Sequence, residues 1–237
     1  MSMVCLGTAN GVMVFRPDRS WDRWELVHHG LYGHSVSSLA EHEDGSLYAG
    51  LHLGMVHRTQ DWEHWHPLYR GLDFPTVTAL MLDPEHEGRI YAGTSPAALF
   101  VSHNGGHSWE RVSEFHRVAS AEGWTHPEPP HSPRVLRIFR LGRRALFAAI
   151  QQGGVLASED DGKTWEDRSR GLAGLVTELR SAPMAPERLY ATSTNGFHRS
   201  DDLGHSWKGL HRGLPNLNAR CLTVGPEKLV LSVDRPE

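Results

Sequence analysis

The chain has 237 residues, 39% hydrophobic and 22% charged, which suits one or two folded domains. The formal net charge of −4 lacks the basic surplus of a nucleic-acid backbone binder, and no apolar run is long enough for a membrane helix. Two cysteines, Cys5 and Cys221, exclude a disulfide scaffold. With no signal peptide in Met1–Phe15, the expected compartment is a reducing cytoplasm.

Met1–Phe15 reads as a strand pair broken by Gly7, Asn10 and Gly11. Its tetrad Val4-Cys5-Leu6-Gly7 recurs as Leu47-Tyr48-Ala49-Gly50, Ile90-Tyr91-Ala92-Gly93, Leu146-Phe147-Ala148-Ala149, Leu189-Tyr190-Ala191-Thr192 and Leu229-Val230-Leu231-Ser232. The second positions step by 43, 43, 56, 43 and 40. Trp24, Trp65, Trp109, Trp165 and Trp207 march alongside at 41, 44, 56 and 42, so one interval carries an insertion between Trp109 and Phe147. Gly-Leu follows six residues after four of these tryptophans; after Trp109 that place holds Phe115. The fifth repeat shows four strands best, at Val176–Ser181, Arg188–Ser193, Gly196–Ser200 and Trp207–Leu210, and no window carries a helical stripe. Four short strands in a repeated period of about 43 residues specify a blade of an all-β propeller, which a β-sandwich does not explain. The repeats run over 3–31, 32–72, 73–115, 134–172, 173–214 and a partial 215–237, in one domain with an insertion loop at 116–133.

Between the third and fourth strands lies an eight-residue element with the pattern Ser-x-Asp/Asn-x-Gly-x-Ser/Thr-Trp. It occurs as Ser102-x-Asn104-x-Gly106-x-Ser108-Trp109, Ser158-x-Asp160-x-Gly162-x-Thr164-Trp165 and Ser200-x-Asp202-x-Gly204-x-Ser206-Trp207. Asp or Asn bonds its own backbone in an Asx-turn, Gly supplies a positive φ, and Trp brings a large ring to bury. Degenerate copies sit at Thr59–Trp65, one residue short, and at Arg16–Trp24. The element resembles the Asp-box, or bacterial neuraminidase repeat. The whole layout is similar to sialidase-like, glycosyl-hydrolase-like and WD40/YVTN/BNR-like repeat proteins, to photosystem II assembly-factor propellers and, more distantly, to sortilin-type and xyloglucanase propellers. The resemblance implies a structural role for the boxes on the rim away from the ligand face.

Five nearly complete blades are expected, plus the two C-terminal strands Ala219–Val224 and Leu229–Val233. Either Ala219–Val224 completes the first blade, which lacks its first strand, or the ring is an incomplete one of six or seven blades.

In a propeller, the loops leading into each first strand and the hairpins between second and third strands share one face, opposite the boxes. The insertion therefore belongs to that face, as a proline-stiffened loop running from Trp124 to Arg134. Three chemistries compete there. Glycoside hydrolysis requires two flanking carboxylates, for which Asp73, Glu122 and Glu128 are the candidates; Tyr48, Tyr91 and Tyr190 sit at a core position instead. A metal could draw on His126 and His131 with Glu128, and on His34 or His52. Binding without catalysis uses His34, His52, Trp124, His126, Glu128, His131, Arg134, Gln151, Asn195 and Arg220, an aromatic and amide mixture suited to a carbohydrate, peptide or protein ligand. The favoured reading is this binding scaffold without cofactor, nucleic acid or membrane; the alternative is a sialidase-like glycoside hydrolase.

Overall fold

The computed structural model describes residues 3–121, 124 and 132–234. The described part is nearly all β, six antiparallel sheets with one short helix, and its fold is that of a β-propeller. The chain divides into two compact units, residues 1–95 with 100–111, and residues 96–99 with 112–237.

The first unit opens with a three-stranded sheet of β1 (Val4–Thr8), β2 (Gly11–Pro17) and β3 (Trp24–Gly30). A four-stranded sheet follows, β4 (Ser35–Glu41), β5 (Leu47–His52), β6 (Met55–Thr59) and β7 (His66–Pro67). The third comprises β8 (Thr76–Leu82), β9 (Ile90–Ser95), β10 (Leu99–Ser102) and β11 (Glu110–Arg111). Strand alternation decides what is buried: Val12 and Val14 go under the next sheet with Leu47, Ala49 and Leu51, while Met13 and Phe15 stay half-buried on the other face.

In the second unit, α1 (Ser113–Ala121) precedes the sheet β12 (Val135–Leu141), β13 (Ala145–Ile150), β14 (Gly154–Ser158) and β15 (Glu166–Asp167). Next come β16 (Val176–Ala182), β17 (Ala185–Ser193), β18 (Gly196–Ser200) and β19 (Lys208–Gly209), then a separate pair, β20 (Ala219–Val224) and β21 (Leu229–Val233). Ala219–Val224 therefore pairs with Leu229–Val233, and the first sheet keeps three strands. Tyr48 and Tyr91 are buried as core side chains, whereas Tyr190, on the sheet before this two-stranded pair, is only half-buried.

Every first strand is bulged at the same place: Val36/Ser38, Val77/Ala79, Val135/Arg137, Val176/Glu178 and Ala219/Cys221. A bulge frees one side chain from the ladder. Ser37 uses that freedom to donate to the carbonyl of Gly50 at 2.8 Å and to that of Val77 in the next sheet. Thr177 likewise donates to Ala219 O at 2.7 Å, and Arg180 Nε donates to Leu222 O at 3.3 Å. These one-repeat ties hold neighbouring first strands alongside each other.

The tryptophan and Gly-Leu series turn out to be two halves of one joint. The Trp109 amide donates to Arg70 O at 2.9 Å, and the Trp207 amide to Arg170 O at 3.0 Å. Gly71 and Gly171 have φ of +91° and +93°, and a Cβ on either would overlap the carbonyl of Trp109 or Trp207. The indoles finish the joint, Trp109 Nε1 donating to Leu68 O at 3.1 Å and Trp207 Nε1 to Arg168 O at 2.7 Å.

The insertion read as a loop over 116–133 begins instead with an α-helix, Ser113–Ala121. Nine residues are too few to display a periodic stripe, yet Phe115 and Ala119, one turn apart, are buried. The helix also rewires the joint. Its first turn takes Val112 O, the repeat's counterpart of Leu68 O and Arg168 O, as acceptor for His116 N at 3.2 Å. Trp165 bonds Gly162 O of its own turn instead, at 3.1 Å, and packs edge-on against Phe115 at 5.1 Å.

Candidate functional site

Connectivity gives each blade two unlike ends. The turns between first and second and between third and fourth strands occupy one end. The hairpin between second and third strands and the loop into the first strand occupy the other.

At the first end, the Ser-x-Asp/Asn turns close on themselves. Ser200 Oγ donates to Asp202 Oδ1 at 2.6 Å and accepts from the Gly204 amide at 2.8 Å; Asp202 accepts from the Ser206 amide and hydroxyl at 2.9 and 2.6 Å. Ser158, Asp160, Gly162 and Thr164 repeat these bonds. In the third copy Ser102 Oγ bonds the Asn104 side chain and the Gly106 amide, and Asn104 Oδ1 accepts from the Ser108 amide at 2.9 Å. The Thr164 bonds hold the Asp160 carboxyl at about 2. At Asp202 burial pushes upward, but the Ser200 and Ser206 bonds outweigh it, again giving about 2. Trp109, Trp165 and Trp207 are buried behind these turns. The one-residue-short copy shows what spacing does: among the described residues, Trp65 buries its Nε1 without a partner.

At the other end of the second unit, Trp124 lies on the hairpin between β13 and β14, so close that a Cβ on Gly153 would overlap its ring. Beside it, Gln151 N donates to Arg134 O at 3.0 Å, Arg134 N donates to Gln152 Oε1 at 3.2 Å, and Arg134 Nε donates to Gln151 Oε1. Among the described residues, Gln152 Nε2 is buried without a partner. The next blade closes the same junction differently: Thr194 N donates to Leu175 O, Leu175 N to Thr194 Oγ1, both at 3.0 Å, and Asn195 remains exposed. The last junction is ionic, Arg220 Nε reaching Asp234 Oδ1 at 2.9 Å, with Asn218 Nδ2 donating to the other carboxylate oxygen at 2.5 Å. The structure thus brings Trp124, Arg134 and Gln151 together.

The first unit carries three other candidates. His34, His52 and Asp73 are exposed there. His34 stands 6.1 Å, ring to ring, from His57. Glu122, His126, Glu128 and His131 lie outside the described residues. The carboxylate separation and the metal set proposed from sequence therefore rest on residues of which Asp73, His34 and His52 alone are described.

Two features escaped sequence reading. His57 and His198 occupy the same blade position, and among the described residues each buries its Nδ1 without a partner. Burial, then a second histidine, His34 or His211, holds each below the ordinary imidazole value. The repeat alignment held the signal, because Phe100 and Leu156 fill that position in other blades. Glu178, on the β16 bulge, sits 3.1 Å from Arg180 Nη2 and 3.8 Å from Arg137 Nε. Burial pushes its carboxyl up, against the pull of Arg137.

No family model matches the sequence, and no curated protein matches it. Solved structures do. An ancestral GH74 enzyme is 18% identical over 81% of this chain, with a TM-score of 0.63. YCF48 bound to D1 peptide is 17% identical over 85%, TM-score 0.60, and the WD40 β propeller domain of Doa1 is 17% identical over 97%, TM-score 0.65. This chain spans 26%, 61% and 71% of those three chains. Likeness at these identities establishes the fold: the chain is similar to propellers of the BNR and WD40 type.

Proposed function

We propose that the protein is a non-catalytic binding scaffold whose ligand is an extended peptide or a protein segment, held at the hairpin end of the second unit. The carrying observation is Trp124 against Gly153, beside Arg134 and Gln151. An indole face grips apolar side chains or prolines, while the Arg134 guanidinium suits peptide carbonyls or a carboxylate. YCF48, a structural relative, is itself bound to a peptide. The free cysteines Cys5 and Cys221 suit a reducing, cytoplasmic setting.

The test is an array of immobilised extended peptides beside an array of oligosaccharides, probed with wild type and Trp124→Ala. Peptide capture that vanishes in the variant, with an unchanged melting temperature, supports the reading. Equal capture by both proteins removes Trp124 from the account. Turnover of a xyloglucan or sialyl-lactose substrate would instead establish the hydrolase.

A further inference from the structure

An asparagine followed by glycine is especially open to attack by its own backbone, because glycine has no side chain to screen the amide nitrogen. The chain holds three such pairs, Asn10-Gly11, Asn104-Gly105 and Asn195-Gly196. All three asparagines are exposed, so solvent access does not distinguish them. Their bonding does separate them.

In the first unit, both pairs are held at the side chain and at the glycine nitrogen. Asn10 Oδ1 accepts from the Gly33 amide at 2.9 Å, and the Gly11 amide donates to His34 O at 2.6 Å. The Asn10 carbonyl is also bonded, to His29 Nε2 at 2.6 Å. Asn104 Oδ1 accepts from Ser102 Oγ and from the Ser108 amide, both at 2.9 Å, while Nδ2 donates to Ser108 Oγ at 2.9 Å. The Gly105 amide donates to Gly88 O at 2.8 Å. Either pair can react only after the carboxamide and the glycine nitrogen have both left their partners.

Asn195 lies in the hairpin between β17 and β18 of the second unit. Its main-chain amide donates to Ser193 Oγ at 3.1 Å, and Gly196 pairs with Ser193 inside the same hairpin. Among the described residues, the Asn195 carboxamide has no hydrogen-bond partner, and the Gly196 amide bonds nothing outside its own sheet.

We propose that Asn195 is a spontaneous modification site, converted through a succinimide to aspartate and isoaspartate while Asn10 and Asn104 are preserved. The Gly196 nitrogen gives up its proton and bonds to Asn195 Cγ. The Cγ–Nδ2 bond breaks, and ammonia leaves with that proton. Water then opens the imide. Opening at Cγ restores the main chain with an aspartate; opening at the Asn195 carbonyl carbon routes the chain through Cβ and Cγ as isoaspartate. Either product puts a carboxylate where an amide stood, at the end of the unit that carries Trp124 and Arg134. The chemistry does not depend on what that end binds.

The experiment incubates the folded full chain in mildly alkaline buffer and follows each pair by peptide mapping with mass spectrometry. The map reads the mass gained as an amide becomes an acid, and its fragments separate isoaspartate from aspartate. A parallel time course uses the chain unfolded in urea. In the folded chain Asn195 should convert at least about tenfold faster than Asn10 or Asn104, since each protected pair must break at least two more bonds to react. In urea the three rates should agree within about threefold, because the same dipeptide then reacts in an unfolded chain. Asn10 or Asn104 converting as fast as Asn195 in the folded chain overturns the proposal. So does a ranking that survives in urea, or an Asn195 that stays intact in the folded chain while the unfolded chain converts fully.

Discussion

The two ends of the second unit are built from the same strands under opposite rules. At the box end, Asp160 and Asp202 sit in the same ring of hydrogen bonds, donated by the Ser158 and Thr164 or Ser200 and Ser206 groups around them. At the hairpin end, three successive junctions are closed three ways: by Arg134 with Gln151, by Thr194 with Leu175, and by Arg220 with Asp234. A turn that consumes its polar groups locally has little left for a ligand. A junction that varies, and leaves Trp124 beside it, is where recognition has room to differ. Repetition here marks scaffold and variation marks the candidate site.

That contrast breaks if box residues cost no stability, or if hairpin-end residues cost much. The largest effect belongs to Trp207→Ala, which empties a buried ring and orphans Arg168 O. It should lose about 3–5 kcal/mol in urea unfolding. Asp202→Ala removes three side-chain bonds at a partly solvated turn and should cost about 1–2 kcal/mol, without changing ligand capture. The acid response comes next. His198 is lowered by burial, then by His211, so the unfolded chain takes the proton first. Its contribution is complete above the ordinary imidazole value of about 6.5 and is lost as pH falls below it, with a slope of at most about 1.4 kcal/mol per pH unit. His198→Leu, which installs the residue that Leu156 already places there, should flatten that part of the pH–stability curve. Asp160 and Asp202 act in a separate window: their contribution holds above the usual carboxylate range and fades as pH falls toward about 2. The smallest stability effect is Trp124→Ala, within about 0.5 kcal/mol by thermal melting, because that ring is half-exposed. A larger loss would make Trp124 a structural clamp and erase the difference between the ends.

Much of this organisation is legible in the residues. The 43-residue step of the Leu-Tyr-Ala-Gly tetrads locates the second strands, and β20 and β21 fall at the bounds read from sequence. The candidate site is legible only in part: numbering alone puts Trp124, Arg134 and Gln151 among the loops of one end, but nothing in it pairs Arg134 with Gln151 or seats an indole on Gly153. Helix α1 is missed because its burial is carried by Phe115 and Ala119, two residues that make no period. The buried His57 and His198 are missed because seventeen histidines dilute any single one.

By itself the sequence determined the blade: strand order, turn chemistry and the alternation that buries one face at a time, all of which depend on neighbours within a few residues. It also recorded the tryptophan and Gly-Leu series, without revealing that one docks on the other across a repeat. Tertiary structure alone decided which carbonyl each indole meets and why Trp165 turns to its own Gly162. Those outcomes hinge on groups about forty residues apart competing for the same acceptor. Local pattern cannot rank that competition; packing does.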